Sequence, residues 1–430
     1  MATLKAVRGT RDLLPPETAL WNYVEATARA VFARYGFGEI RTPIFEDTTL
    51  FARGVGEETD IVSKEMYTWE DRARADSDSA QSLTLRPENT AGVVRAYIEH
   101  KLADTGMLQK LFYIGPQFRR ERPQRGRYRQ FWQIGAEVLG PAWSGADSPL
   151  RDAEVLEMLS TFLNELGVKG WKLEVNSVGS STDRPRYIAA LREALAPVKD
   201  QMSADNQRRA ETNPLRVLDS KDAGDQEIIN SLPKIADFLD EASKEHFAQV
   251  LAALDACGVA YTVNPRLVRG LDYYTRTTFE FTVPDGSGLG TQNALLGGGR
   301  YDGLSEMLGG PKAPGIGFAI GEDRLILTLQ AQESAAVALK LDAFIAPMGI
   351  AQNAAALALA QELRRAGLAV EIGDGSFRLK KSFEAADKLA RRMVIVGEDE
   401  VSSGILTVKD FSAGEQTKVP RAQLAGFLRA

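Results

Sequence analysis

The chain contains 430 residues, of which 44% are hydrophobic and 26% are charged. This composition excludes a disordered or fibrous protein and predicts two or three globular domains. The formal net charge of -6 excludes attraction of the whole molecule to nucleic acid or to an anionic membrane, so either partner would require a local basic patch.

The chain contains very few cysteine and histidine residues. Cys257 is the single cysteine, and His100 and His246 are the two histidines. These numbers exclude an internal disulfide, a Cys/His zinc site and a histidine triad. The early residues are charged and lack an apolar signal core, so we expect a cytoplasmic protein without a membrane segment.

Helical periodicity predicts a first helix over about residues 16–35, and Gly36 follows as a stop signal. Residues 38–44 predict a short strand. Pro43 interrupts it, and because proline has no backbone donor, the strand suits a sheet edge or an interface. The polar stretch 71–81 predicts a mobile loop.

Period-two alternation on both sides of an arginine-rich loop predicts a β-hairpin over residues 111–139. Because side chains alternate across a pleat, the returning strand has a packing face and a face able to line a cavity. The packing face contains Trp132, Ile134, Ala136 and Val138. The cavity face contains Phe131, Gln133, Gly135 and Glu137.

Residues from about 182 to 260 are mostly helical in pattern and are interpreted as an insertion in the first domain. Strands are predicted before it at 172–178 and after it at 278–283. A glycine cluster at 297–299 and a helix beginning near 321 follow. These elements predict an α+β core over residues 1–330, in which helices flank an antiparallel sheet.

The remaining chain has a different pattern. After a linker at 331–341, strands and helices alternate over residues 342–430, which predicts a small α/β domain with a parallel-type sheet. Residues 376–392 contain six basic and two acidic side chains, so this domain carries the local basic patch that RNA binding requires.

The hairpin tip, residues 118–129, contains six arginines and one glutamate. Guanidinium groups match phosphate oxygens in pairs and stay charged, so this density suits a polyphosphate or an RNA backbone. The alternative is a solvated charged loop. Phe131, Gln133 and Glu137 follow, and they offer a ring, an amide and a carboxylate to a ligand. The alternative is that Phe131 belongs to the core and Glu137 to a salt bridge.

Three further features suit either a role in a functional site or a purely structural role. Glu88 precedes a helix whose predicted cap is Thr90, where a carboxylate complements the helix dipole. Glu88 and Glu137 would also suit a glycosidase acid/base pair, but the arginine density argues against a sugar site. The run 267–276 and the glycine run 297–303 suit close ligand contact, or equally packing and a strand bend.

Taken together, these motifs resemble the signatures of bacterial histidyl-tRNA synthetases, which are class II aminoacyl-tRNA synthetases. The matching segments are residues 7–12, 84–88, the hairpin through 137, and residues 269–274, 298–303 and 315–324. The runs 269–274 and 299–302 are specific to the histidine branch. The resemblance implies a class II catalytic core, a C-terminal anticodon-binding domain and a homodimer.

The resemblance also implies a role for individual residues. Arg119 and Arg269 would be catalytic, Arg119 at the α-phosphate of ATP and Arg269 at the histidine carboxylate and the α-phosphate. The implied ATP-binding residues are Arg119, Glu121, Arg127, Phe131 and Arg324. The implied histidine-binding residues are Glu88, Gln133, Glu137, Arg269, Tyr274 and Tyr301. The implied contacts to the tRNA acceptor end are Arg122 and Gln124, with Arg127 facing either that end or the ATP phosphates.

The implied substrates are L-histidine, ATP with bound Mg²⁺, and tRNA(His), with no metal site on the protein. Three positions depart from the family pattern: residues 380–384, Ser220 in place of a common cysteine, and Trp132 in place of a common histidine. One alternative is the regulatory subunit of ATP phosphoribosyltransferase, which usually lacks the tail domain and the ATP arginines. Another is a ligase that does not act on tRNA, which leaves the basic tail unexplained.

Overall fold

A computed structural model describes residues 3–56, 59, 61–71, 81–220, 222–268, 273–284, 286–289, 293–332 and 340–429. The chain divides into two units, residues 1–336 and 337–430. None of the helices in the described ranges is both long and apolar enough to cross a bilayer. Arg269, most of the predicted loop at 71–81 and most of the predicted linker lie outside the described residues.

The first unit combines helices with two sheets. Its helices are α1 (Glu17–Arg34), α2 (Thr48–Val55), α3 (Thr90–Glu99), α4 (Pro149–Glu165), α5 (Asp183–Leu195), α6 (Ala204–Thr212), α7 (Gln226–Ser231), α8 (Glu241–Ala256), α9 (Leu304–Met307) and α10 (Glu322–Ala331). Its strands are β1 (Gly38–Glu39), β2 (Phe45–Asp47), β3 (Tyr67–Asp71), β4 (Gln81–Leu85), β5 (Gln109–Phe118), β6 (Gln130–Leu139), β7 (Lys172–Ser177), β8 (Tyr261–Val263), β9 (Thr275–Thr282), β10 (Ala294–Arg300) and β11 (Gly315–Gly321).

The main sheet has eight strands in the order β1-β5-β6-β11-β10-β9-β7-β8, and a smaller sheet has the order β2-β4-β3. The six central strands of the main sheet pair antiparallel, whereas β1 and β8 join its two edges in parallel. This arrangement confirms the predicted antiparallel sheet flanked by helices.

Helices α1, α4, α8 and α10 supply apolar side chains to the core on one face of the main sheet. The predicted helix at 16–35 is confirmed by α1, in which Leu20, Val24 and Val31 recur at helical spacing and are buried. Fully buried Phe32 contacts the rings of Phe112 and Phe318 at centroid distances of 5.5 and 5.8 Å. Burial of one such ring contributes about 1.5–3 kcal/mol.

The arginine-rich hairpin is confirmed by β5 and β6, which pair from Gln109–Leu139 to Phe118–Gln130. The predicted packing face is also confirmed, because Ile134, Ala136 and Val138 are buried in the main core. The predicted strand at 38–44 is shorter than expected. Its β ladder with β5 covers only Gly38 and Glu39, at the predicted sheet edge, and the chain then turns into the smaller sheet.

Helices α5 to α7 and their connecting turns, residues 183–240, enclose a hydrophobic core of their own, and we call this segment the insertion. Tyr187, Leu191 and Leu215 belong to this core, together with Val268 from the main unit. Helix α8, which sequence pattern assigns to the predicted insertion, instead packs Val250 and Leu254 into the main core. Its apolar face is complementary to α4, a tertiary contact that periodicity does not reveal.

The second unit is a five-stranded sheet between helices. Its helices are α11 (Asn353–Arg365), α12 (Leu379–Leu389), α13 (Glu398–Ser403) and α14 (Arg421–Arg429), and its strands are β12 (Leu341–Pro347), β13 (Val370–Ile372), β14 (Ala390–Val396), β15 (Ile405–Asp410) and β16 (Gln416–Pro420). The strand order is β13-β12-β14-β15-β16. The parallel-type prediction holds for the first three strands, whereas β15 and β16 are antiparallel hairpin additions.

Candidate active site

A cavity of about 390 Å³ lies on the face of the main sheet formed by β5, β6, β10 and β11. This volume falls in the usual range for a small-molecule site. Sequence-predicted residues from separate elements meet in its wall. They are Glu88, Arg119, Glu121, Arg127, Gln133, Tyr274 and Tyr301.

The cavity exists because small residues occupy the strands beneath it. Glu137 on β6 pairs with Gly317 on β11, and Gly317 pairs with Gly299 on β10. Directly paired residues share a face, so the Glu137 side chain extends over the hydrogen of Gly317. A Cβ on Gly317 would lie 1.7 Å from Glu137 Oε2, and one on Gly299 would lie 2.9 Å from Tyr274 Cδ1. Glycine is therefore required at both positions to leave room for these side chains.

Glu137 is fully buried and is held by two hydroxyl groups from other elements. Thr90 Oγ1 donates to Glu137 Oε1 at 2.7 Å, and the Tyr301 hydroxyl donates to Glu137 Oε2 at 2.6 Å. Burial raises the pKa of Glu137 to about 8. Glu137 forms no salt bridge with any described residue, and it reaches the cavity through Thr90 and Tyr301, which line the wall.

Glu88 stands at the N-terminus of α3. Its carboxylate accepts hydrogen bonds from the backbone N–H groups of Thr90 at 2.8 Å and Ala91 at 3.0 Å. It therefore caps the helix, whereas the predicted cap Thr90 is the first helical residue. Burial raises the pKa of Glu88 above its usual value, so this carboxyl is also set apart from an ordinary surface acid.

The strand ends of the hairpin place an arginine against an aromatic ring. The Arg119 guanidinium carbon lies 5.2 Å from the centroid of the Phe131 ring, and Arg119 Nε donates to the Pro87 carbonyl at 2.9 Å. Glu121 Oε2 accepts from Arg127 Nη1 at 3.1 Å, and its other oxygen lies 3.9 Å from Arg119 Nη1. These contacts hold the two guanidinium groups at one end of the cavity.

Aromatic side chains form the opposite end of the cavity. The rings of Tyr273 and Tyr274 lie 4.7 Å apart, and the rings of Tyr273 and Tyr301 lie 5.9 Å apart. Tyr273 and Tyr301 are buried, and burial raises their pKa well above the usual value. Both phenols therefore remain neutral hydrogen-bonding groups at physiological pH.

Gln133 and Arg324 complete the set of buried candidates. Gln133 Oε1 is buried and accepts no hydrogen bond from any described residue. Arg324 is half-buried in the first turn of α10, and burial lowers the pKa of its guanidinium. Gln133 lines the cavity, whereas Arg324 does not belong to the cavity wall.

The two predicted contacts to the tRNA acceptor end lie outside the cavity. Arg122 and Gln124 are exposed on the hairpin tip, and neither belongs to the cavity wall. Arg269 is outside the described residues, although its neighbours Val268 and Tyr273 belong to the insertion core and to the core beside Tyr301.

Sequence reasoning missed several wall residues. Tyr113 and Tyr273 are buried in the wall, and Arg216 enters it from the insertion. Tyr113 lies on the predicted hairpin with the same alternation as the cavity face, which was a usable signal. Arg216 had no such signal, because its approach to the cavity depends on how the insertion packs.

The second histidine-branch run, residues 299–302, also contains a structural group. Arg300 is fully buried, pairs with Asp152 Oδ1 at 2.5 Å and donates to the Ala146 carbonyl at 2.7 Å. Asp152 also accepts from His246 at 2.8 Å. This network fixes β10 against α4, and removal of one partner would leave a buried charge uncompensated. Within the described ranges, no cluster of three or more His, Cys, Asp or Glu residues is arranged to hold a metal ion.

Comparison with known proteins identifies the family. A family model for histidyl-tRNA synthetase matches residues 9–325, and one for an anticodon-binding domain matches residues 342–430. The histidine–tRNA ligase of Koribacter versatilis (strain Ellin345) is 67% identical over 99% of this chain and 96% of its own length. That of Solibacter usitatus (strain Ellin6076) is 53% identical over 99% of both chains.

Solved structures agree with this result. The crystal structure of apo S. aureus histidyl-tRNA synthetase is 37% identical, covers 100% of both chains and superposes with a TM-score of 0.77. Both the main sheet with its cavity and the second unit are included in that match. The chain belongs to the histidyl-tRNA synthetase family.

Proposed function

We propose that the protein is a histidine–tRNA ligase, which activates L-histidine with MgATP and transfers the histidyl group to tRNA(His). One observation carries the proposal beyond the family. A single cavity joins the arginines of the hairpin at one end to a buried carboxyl group and phenols at the other. Such a cavity suits an anionic nucleotide beside a small polar amino acid.

ATP binds at the hairpin end. Arg119 holds the α-phosphate, and Phe131 and Arg324 enclose adenine on its two faces. Arg127 and Glu121 lie at the same end, where Arg127 neutralises phosphate charge. Mg²⁺ arrives as part of the ATP substrate. The packing of Arg119 on the Phe131 ring and its bond to the Pro87 carbonyl support this assignment, because both limit the positions of the guanidinium group before ATP binds.

Histidine binds at the tyrosine end. Glu88 and Gln133 receive the α-ammonium group, and the buried Gln133 Oε1 supplies an acceptor that no described residue uses. Tyr274 and Tyr301 surround the imidazole, and Glu137 sets the hydrogen-bonding state of the Tyr301 hydroxyl. Side chains that cannot pair with these buried polar groups leave them unsatisfied, which disfavours their binding.

The reaction needs no protein nucleophile. A carboxylate oxygen of histidine attacks the α-phosphorus, the bond to pyrophosphate breaks, and histidyl-adenylate forms. A hydroxyl of the terminal adenosine of tRNA then attacks the histidyl carbonyl carbon, and AMP leaves. Arg119 and Arg269 stabilise the charge that develops on the α-phosphate in the first step.

The tRNA contacts are assigned to two exposed basic regions. Arg122 and Gln124 on the hairpin tip contact the acceptor end. Residues 342–430 bind the anticodon, and Arg378, Lys380, Lys381 and Lys388 form an exposed basic patch on and beside α12. Residues 1–330 then form the catalytic domain, residues 331–341 the linker, and residues 182–260 the region that interrupts the catalytic domain.

We also assign a homodimer in the cytoplasm. Ile44 and Phe45 follow Pro43 where β2 begins, and they are 44% and 53% exposed. The centroid of the Phe45 ring lies 6.0 Å from that of Trp69. Apolar side chains grouped at the end of a short edge strand are typical of an interface. Sedimentation equilibrium of the wild-type protein tests this assignment, and a monomer at micromolar concentration contradicts it.

The decisive experiment is ATP–pyrophosphate exchange with each of the twenty amino acids. Only histidine should support exchange, and Arg269→Ala should abolish it while the far-ultraviolet circular dichroism stays unchanged. Exchange with a different amino acid overturns the histidine assignment. Histidine binding without exchange would instead identify a regulatory protein, the alternative that retention of Arg119, Arg324 and the second unit disfavours.

A further inference from the structure

The insertion contributes a charged residue to the active-site cavity. Arg216 lies in a 3-10 turn, Pro214–Val217, between α6 and α7, and its side chain lines the cavity together with Arg119 and Arg127. The hairpin and the insertion are separate in sequence and have separate hydrophobic cores. The wall of the cavity is therefore completed by an element outside the main sheet.

The turn holds Arg216 in a defined direction. Leu215 and Val217 on either side are buried in the insertion core, so the intervening side chain must leave that core. The Arg216 backbone N–H donates to the Asn213 carbonyl at 2.9 Å, which closes the turn. Half-buried Arg216 is thus anchored at its backbone, and its guanidinium remains available to the cavity.

The insertion is also tied to the histidine end of the site. Arg184 on α5 donates from Nη1 to the Tyr274 carbonyl at 3.3 Å. Val268, at the start of the run that leads to Arg269, packs within the insertion core. These two contacts join the insertion to the segment that carries Tyr274, so the position of Arg216 relative to the cavity does not depend on one surface contact.

The positive charge of Arg216 suits an anionic ligand. Among the described wall residues, Arg119 and Arg127 already face the Glu121 carboxylate, whereas the Arg216 side chain forms no ion pair or hydrogen bond with any described residue. The wall also contains Glu65 and Glu88, so the hairpin arginines alone do not leave it positively charged. A guanidinium group without a carboxylate partner beside a nucleotide site suits a phosphate group.

We propose that Arg216 is a substrate-binding residue of the active site, which holds a phosphate group of a bound nucleotide and so makes the insertion a part of the catalytic machinery. This inference rests on the proposed ligase function. Two substrates supply that chemistry, the triphosphate of ATP and the phosphodiester at the acceptor end of tRNA. The two sources act in different half-reactions, which separates them experimentally.

The test compares the wild-type protein with Arg216→Ala, Arg216→Lys and Arg208→Ala. Arg208 is a matched control, because it lies on α6 of the same insertion, is 63% exposed and, among the residues that the structure describes, pairs with Asp205 alone. One assay measures the KM for ATP in histidine-dependent pyrophosphate exchange. The other measures single-turnover transfer of histidine from preformed enzyme-bound adenylate to tRNA, as a function of tRNA concentration.

Arg216→Ala should weaken one half-reaction by roughly tenfold to a hundredfold, because a hydrogen-bonded charge pair is lost. An increased KM for ATP in exchange assigns the phosphate to ATP. Unchanged exchange with weakened transfer assigns it to tRNA. Arg216→Lys keeps the positive charge but lacks the paired N–H donors of the guanidinium group, so it should recover part of the activity that Arg216→Ala loses. It also provides the comparison if Arg216→Ala lowers the unfolding midpoint so far that the protein is not folded.

The inference is overturned if Arg216→Ala and Arg208→Ala behave alike, within twofold, in both assays. A different result would contradict the proposed ligase function itself. In that case the wild-type protein and Arg208→Ala would both lack histidine-dependent exchange, so the two failures are distinguishable.

Discussion

The two ends of the active-site cavity are built in different ways. At the tyrosine end, Glu137 and Tyr301 are buried and already hydrogen-bonded to each other. At the hairpin end, the Arg127 side chain is 40% exposed, and Arg122 lies on the surface. Buried, satisfied groups resist displacement, whereas exposed charges are screened and adjust on binding. The tyrosine end is therefore already ordered without a ligand, whereas the exposed charges of the hairpin end remain free to adjust to one.

The largest expected effect comes from filling the space over β11. Gly317→Ala places a methyl group 1.7 Å from Glu137 Oε2, so the carboxyl must leave Thr90 and Tyr301. We expect histidine-dependent exchange to fall at least about 100-fold, which corresponds to about 2.7 kcal/mol. Gly303→Ala is the control, because its Cβ would meet no atom within 4 Å. Near-normal exchange by Gly317→Ala would contradict a preorganised tyrosine end.

Removal of one hydroxyl from the same end should have a smaller effect. Tyr301→Phe deletes the donor to Glu137 Oε2 and leaves that buried oxygen unsatisfied, which costs about 1–3 kcal/mol. The KM for histidine should rise roughly tenfold to a hundredfold in exchange assays. Tyr97→Phe is the matched control, since the buried Tyr97 hydroxyl has no hydrogen-bond partner among the described residues. Equal effects of the two substitutions would show that the Glu137 contact is not specific.

The pH dependence of stability tests the same carboxyl without any ligand. Burial raises the pKa of Glu137 from 4.5 to about 8 in the folded protein. Between these values the unfolded chain releases the proton and the folded protein keeps it, so rising pH favours unfolding. This group alone should lower the free energy of unfolding by at most about 1.4 kcal/mol per pH unit in that window.

Glu137→Gln removes this titration. We measure the free energy of unfolding in denaturant and subtract the value of the variant from that of the wild type. This difference should be larger at pH 5 than at pH 8 and constant below about pH 4.5. Parallel stability profiles from pH 5 to pH 8 would show that Glu137 is ionised in the folded protein.

The smallest effect is expected at the exposed hairpin tip. Arg122→Ala should leave pyrophosphate exchange unchanged and weaken transfer to tRNA by about fivefold, because one exposed phosphate contact contributes about 1 kcal/mol. The salt dependence of tRNA binding should also decrease by about one unit in its logarithmic slope. Arg208→Ala, on the exposed face of the insertion, is the control. Loss of exchange in Arg122→Ala would place this residue at ATP instead.

Local sequence patterns predicted the strands that carry the site. Alternation in residues 131–138 assigned Ile134 and Val138 to the core and Gln133 to the cavity, and the structure confirms each placement. Periodicity succeeds there because each strand has one apolar and one polar face. It failed at α8, whose burial against α4 depends on a distant helix, and it did not predict the antiparallel pairing of β15 and β16 in the second sheet.

Other features of the site depend on strand register. The contact between Glu137 and Gly317 joins residues far apart in sequence, and it requires β6 and β11 to pair at that register. The Thr90 bond to Glu137 adds a third element, α3. Sequence periodicity does not predict these contacts between separate elements, because each segment is locally compatible with several registers and packing angles.

The amino-acid sequence by itself indicated the family, the fold class of both units and the charged and aromatic residue types that line the cavity. These follow from periodicity, charge and motif order, all of which are local properties. Tertiary structure alone decided that Glu137 is buried behind Thr90 and Tyr301, and that Arg216 enters the cavity from the insertion. Both results depend on packing between separate elements. This packing buries Glu137, which raises its pKa, and it brings charges that are distant in sequence to one cavity.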